Sequence, residues 1–172
     1  MATWSPRETN ETAYPIERTL ERMAASVDEE IAAAVGGGSG PYPGQRIATT
    51  KATTDSPSTT TEIVVDSVTA PLVAGRTYMV SYMATVQGVA GDAARSFLRE
   101  NNLAGAELWN ARVHIAGTGS QGWPLWMTCE YTAVSTASKT FVATLTRGFG
   151  SESVMALGAA NRPRFLYVDF AY

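Results

Sequence analysis

His114 and Cys129 are the only histidine and the only cysteine of the 172-residue chain, so any nucleophilic, general-base or zinc chemistry must be built around one of each. A catalytic triad needs a nucleophile and an acid converging on the imidazole. His114 stands between Val113 and Ile115 in a stretch that reads as strand, and nothing in its spacing supplies such partners. It is read as a structural or surface histidine. Cys129 alternates with Met127 and Tyr131 on what reads as a core face, which points to inert packing. One His and one Cys fall short of an ordinary zinc set. Asp66, Asp92 and Asp169 are conceivable calcium ligands, but the sequence has no D-x-D-x-D-G loop.

Gly117, Gly119 and Gly122 in GTGSQG satisfy the dinucleotide pattern G-x-G-x-x-G. That pattern works when a helix follows and aims its N-terminus at the pyrophosphate. Here Trp123 and Pro124 follow, then an alternating strand, so the glycines are read as a turn between strands. A pair of carboxylates for glycoside cleavage need not be close in sequence. Most acids here nevertheless cluster as Glu17, Glu21, Asp28, Glu29 and Glu30, where the solvated face of a helix explains them. Trp109, Trp123 and Trp126 could stack on sugar rings, although in a β-sandwich they are read first as core or subunit interface. Open rings would favour the glycan reading. No cofactor and no metal is expected.

The residues that matter most for assembly lie earlier. Ile16, Leu20, Met23, Val27 and Ile31 follow one another at steps of 4, 3, 4 and 4, which puts all five on one stripe of a helix. Pro15 and Glu17 suit its first turn, and Gly36 to Gly38 end it. Burying the five side chains would contribute about 10 kcal/mol. Ordering some twenty backbones costs on the order of 1 kcal/mol each or more, so the helix is marginal alone. Its stripe needs a surface: copies of itself, its own β-domain, or another protein. Before it, Trp4, Arg7 and Tyr14 punctuate a polar arm as docking anchors, with a frayed terminus as the alternative.

The helix is followed by GGGSGPYPG, residues 36–44, which reads as a hinge. The domains expected are thus an arm and anchoring or oligomerising helix over 1–35, the hinge, and a β-sandwich over 45–172. The threonine-rich stretch from Thr49 to Thr61 is read as a strand, a turn at Asp55 to Ser58 and a second strand, with a low-complexity linker as the competing view. Beyond it strand signals recur. Tyr78, Val80, Tyr82, Ala84 and Val86 alternate most clearly, followed by segments at Phe97, Leu108 to Ile115, Leu125 to Ala133, Phe141 to Leu145, Val154 to Leu157 and Phe165 to Phe170. Pro71 with Gly75, Thr136 to Ser138 and Gly148 to Ser151 are read as turns. Some nine short strands with no helical window among them indicate an all-β, antiparallel sandwich or jelly roll preceded by one amphipathic α-helix and an extended arm.

Apolar content of 45% and charged content of 17% are those of a globular chain, and a net charge of −3 without a basic run gives no reason to expect nucleic acid. No membrane span or secretory signal is read, and a single cysteine suits a chain made in a reducing cytoplasm.

GRTYMVSYMATVQG (75–88), Leu98 with Arg99, YTAVSTASKTFVATLTR (131–147) and PRFLYVDF (163–170) resemble small β-domains on virion proteins of tailed phages infecting actinobacteria. Trp4, Ser5, Pro6 and Arg7 also resemble the start of phage tail or fibre proteins. Such domains occur on head-decorating, minor tail and fibre proteins, and their fold is similar to trimeric jelly rolls of the C1q and tumour-necrosis-factor kind. The resemblance implies a non-enzymatic homotrimer on the virion surface, made in the host cytoplasm, whose partners are the major capsid protein or tail proteins. It carries over no functional residues. Head decoration is the first expectation, a minor tail or fibre protein the second, and a glycan-binding module for host attachment the third.

Overall fold

A computed structural model describes residues 41–116 and 122–172. The arm, the helix with Ile16, Leu20, Met23, Val27 and Ile31, and most of both glycine-rich stretches lie outside the described residues. Nine strands are present among those described: β1 Arg46–Ala52, β2 Ile63–Leu72, β3 Thr77–Gln87, β4 Ala93–Glu100, β5 Glu107–His114, β6 Trp123–Thr132, β7 Ala137–Phe149, β8 Met155–Leu157 and β9 Arg164–Phe170. All pair antiparallel. The first sheet runs β1-β9-β3-β6, the second β2-β7-β4-β5. β8 takes the lane beside β3 beyond β9, since β9 pairs Tyr78 to Met83 and β8 pairs Thr85 to Gln87.

Alternation in the strands explains why the sheets stack. Tyr78, Val80, Tyr82, Ala84 and Val86 of β3, Leu125 and Met127 of β6, and Leu166, Val168 and Phe170 of β9 point one way. They share one core with Val68, Ala70 and Leu72 of β2, Ala94 and Leu98 of β4, and Phe141, Ala143 and Leu145 of β7. The result is a β-sandwich. Edge-on ring pairs Tyr78–Phe170 at 5.8 Å and Tyr131–Phe141 at 5.0 Å fix side-chain orientation within it.

One polar cluster crosses this core. Asp66 of β2 accepts hydrogen bonds from Arg164 Nε at 2.8 Å, Arg164 Nη2 at 3.2 Å and the Tyr82 hydroxyl at 2.9 Å. Arg164 Nη1 also donates to the carbonyls of Thr54 and Ala156. The pair is buried, each side chain 4% exposed, so its charges depend on these partners rather than on water. Burial and the Asp66 charge push the Tyr82 hydroxyl well above its usual pKa, keeping it a neutral donor.

Four sequence expectations are corrected. Pro71 does not end its strand but pairs with Ser138 inside β2, which tolerates a residue without an N–H because it lies at the edge of its sheet. β7 begins at Ala137, so the turn lies at Val134 to Thr136 and Ser138 is already within the strand. At its other end β7 continues through Gly148 as a bulge opposite the Ala93–Ala94 step. Residues 53–62 hold no second threonine strand, and only Thr59 makes a bridge, to Val154. The last residue of the expected hinge, Gly44, is already tied to the sandwich through its N–H to Phe170 O at 2.7 Å.

Candidate functional site

Register places an apolar row on the outside of the first sheet. Phe165 of β9 lies opposite Met83 of β3, and Met83 lies opposite Trp126 of β6. Inward neighbours Leu166, Ala84 and Leu125 are buried, so the row belongs to the other face. Trp126 is 68% exposed and Met83 41%. Tyr167, two residues along β9 on the same face, reaches Met83 Sδ with its hydroxyl at 3.8 Å and carries the Arg46 guanidinium 3.7 Å from its ring centroid. Lys51 of β1 lies opposite Phe165, its ammonium 6.0 Å from that ring. Polar groups bound the row. Ser81 and Thr128 share a hydrogen bond at 2.8 Å, while Asp169 pairs with Arg46.

The three tryptophans separate. Trp126 belongs to this row, and Trp109, on the edge strand β5 of the other sheet, is 53% exposed. Neither is core, which corrects that half of their first reading and leaves a subunit interface or a ligand platform. Trp123 pairs with Val86 and packs half-buried against the core. The fold therefore does not gather them into one platform. Trp4, Arg7 and Tyr14 lie outside the described residues, like the helical stripe.

The chemistry-bearing residues are engaged in structural contacts. His114, exposed at the end of β5, stacks edge-on against Phe149 at 4.8 Å. Burial pushes the Cys129 thiol up to about 11, so little thiolate exists near neutrality. Asp92 accepts backbone N–H groups of Ser151 and Glu152 at 3.2 and 3.0 Å, bracing a turn in which Gly150 adopts φ +107°. A Cβ there would lie 1.8 Å from Asp92 Oδ1, so only glycine fits. Among the described residues no three His, Cys, Asp or Glu side chains group closely enough to hold a metal ion. A shallow depression at the β6–β7 turn is lined by Leu72, Tyr131, Val134 and Lys139 with small neighbours, without a histidine or carboxylate.

No family model matches the sequence. No curated protein matches it either. Among solved structures it is similar at low level to a chain described as CBM4, with 14% identity, a TM-score of 0.33 and coverage of 60% of each chain, so it spans less than two thirds of that neighbour. The N-terminal cellulose-binding domain of Cellulomonas fimi β-1,4-glucanase C gives 15% identity and a TM-score of 0.34 over 76% of this chain and 98% of that one. A chain of infectious bursal disease virus, Gx strain, gives 10% identity and a TM-score of 0.31 over 72% and 36%. Likeness this slight carries no functional information.

Met83, Phe165 and Tyr167 were not singled out by sequence reasoning. A signal was present. In YMVSYM and RFLYVDF most positions between the core residues, Met79, Met83, Phe165 and Tyr167, are also apolar or aromatic, whereas a strand with one solvated face shows mostly polar residues there.

Proposed function

We propose that the chain is a non-enzymatic structural protein of a tailed-phage virion, a trimeric capsid decoration protein held on the particle by residues 1–35. The observation that supports this most is the row Phe165, Met83 and Trp126 with Tyr167 beside it, a cross-strand apolar face on the outside of a sheet. Covering it with further copies removes apolar area from water at about 25 cal/mol per Å². The strand order is a second support. With β8 set aside, β1-β9-β3-β6 facing β2-β7-β4-β5 is jelly-roll connectivity, in which the last long strand returns beside the first. That is the architecture implied by the resemblance to trimeric phage domains. A minor tail or fibre protein would use the same trimer.

The test is sedimentation velocity on the full chain and on Met83→Asp and Trp126→Asp. Both positions are solvent-facing in one subunit, so each variant should keep its β-rich circular dichroism. The wild type should sediment as a trimer and the variants as monomers. Unchanged association in both variants would remove this face from the interface.

A second reading has its own support, the open rings of Trp126 and Trp109, which suit a glycan-binding module for host attachment. It is separable. Trp126→Ala or Trp109→Ala would then abolish retention on immobilised host cell-wall glycans while leaving the sedimentation coefficient unchanged.

A further inference from the structure

A second surface, on the outside of the other sheet, carries two arginines that among the described residues form no ion pair. Arg95 of β4 and Arg112 of β5 are directly opposite across the strand pair, so their side chains rise from the same face as cross-strand neighbours. Like charges in that arrangement are destabilising. Among the described residues neither guanidinium has a carboxylate within 4.0 Å. Arg95 Nη2 makes a long contact of 3.4 Å to Asn110 Oδ1. The nearby acids hydrogen-bond to other groups, although the Arg95 charge also acts on Glu62 from farther off. Glu62 takes both forks of Arg99 at 2.7 and 3.1 Å and a hydroxyl from Thr144 at 2.6 Å, and Glu107 accepts from Asn110 at 2.6 Å.

Gly148, the bulged residue of β7, lies beside the pair. A Cβ at that position would stand at ordinary contact distance, 3.5 Å, from Arg112 Nε and from Arg95 Cβ, and 3.3 Å from Ala93 O. Phe97 is buried beneath two guanidinium groups, with Arg95 at 4.5 Å and Arg99 at 4.6 Å from its ring. Phe149 is 40% exposed, stacks with His114 and lies 6.0 Å from the Arg112 guanidinium.

We propose that Arg95 and Arg112 form a binding site for a tetrahedral oxyanion of the phosphate or sulfate class, free or carried on a saccharide. Two guanidinium forks offer more N–H donors than the two oxygens of a carboxylate can accept bidentately, whereas a phosphate or sulfate group can bridge them. The bound anion cancels the repulsion that the paired arginines otherwise carry, and the exposed Phe149 ring beside Arg112 offers a face to an attached sugar. This site is on the opposite sheet from the proposed subunit interface and does not depend on it.

The experiment is thermal unfolding and calorimetric titration of the full chain with inorganic phosphate, sulfate, glucose 6-phosphate, acetate and chloride at matched ionic strength. Wild type should gain melting temperature from phosphate and sulfate beyond the chloride control. Exposed Arg112, changed to Gln, should melt higher than wild type without anion, because the repulsion is gone, and should bind phosphate roughly tenfold more weakly or worse. Arg95→Gln should behave alike. Glucose 6-phosphate binding tighter than inorganic phosphate supports a saccharide-borne group, and equal binding supports the free ion. A phosphate effect no larger than that of chloride or acetate, or one retained in both variants, overturns the proposal.

Discussion

Asp66 is the residue whose removal should cost the sandwich most for its size. It answers Arg164 and Tyr82 from across the core, and both are buried. Asp66→Ala leaves the Arg164 charge in the interior with only carbonyl partners, and a loss of about 3–5 kcal/mol in urea unfolding is expected. The double variant Asp66→Leu with Arg164→Met should recover part of it, because no charge is then stranded although the buried Tyr82 hydroxyl loses its acceptor. Glu62 sets a pH dependence of a different kind. Burial raises its pKa, but hydrogen bonds from Arg99 and Thr144 and the charges of Arg99 and Arg95 outweigh that and hold it below the ordinary 4.5. A carboxylate lowered on folding contributes stability above its unfolded pKa and loses it as pH falls through the folded one. Wild type should therefore be more stable than Glu62→Gln at neutral pH. Their urea midpoints should converge as pH is lowered through 4.5 and below, and parallel curves would show that Glu62 contributes nothing through its charge.

At the scale of elements, strands with one polar face were legible and the departures have physical causes. Tyr78 to Val86 is legible because its core face is continuously apolar while Ser81 and Thr85 break up the other, and Leu125 to Ala133 behaves likewise through Thr128, Glu130 and Thr132; Met79, Met83 and Trp126 are the exceptions on those outer faces. Pro71 reads as a stop in one dimension, yet an edge strand has a side on which no N–H is needed, and edge position is a property of the sheet. Gly148 reads as a turn because a bulge and a turn use the same residue. The outer row escaped because Met83 and Phe165 are 82 residues apart (165 − 83) and only pairing brings them together. The Arg95–Arg112 pair was hidden for the same reason. The helical stripe at Leu20 and Val27 lies outside the described residues, and its role is tested directly. Leu20→Asp with Val27→Asp should leave a folded, soluble β-domain by circular dichroism but abolish binding to virions in a co-sedimentation assay. Loss of the β signal would instead make the helix part of the sandwich core.

For the whole molecule, two opposed sheet faces divide the work in this account. The outside of β1-β9-β3-β6 carries an apolar and aromatic row, proposed to meet other copies, while the outside of β2-β7-β4-β5 carries the arginine pair proposed to hold an anion. Pro41–Tyr172 forms a compact unit by itself, so the contribution of the sandwich to assembly can be measured apart from residues 1–40. The most direct test is sedimentation equilibrium on the full chain and on residues 41–172 over a wide concentration range. A mass of about three 18.3 kDa chains is expected for the full protein, and a trimer for the sandwich alone. A single-chain mass for both at every concentration would contradict it, and a trimer from the full chain alone would move the interface to the helix.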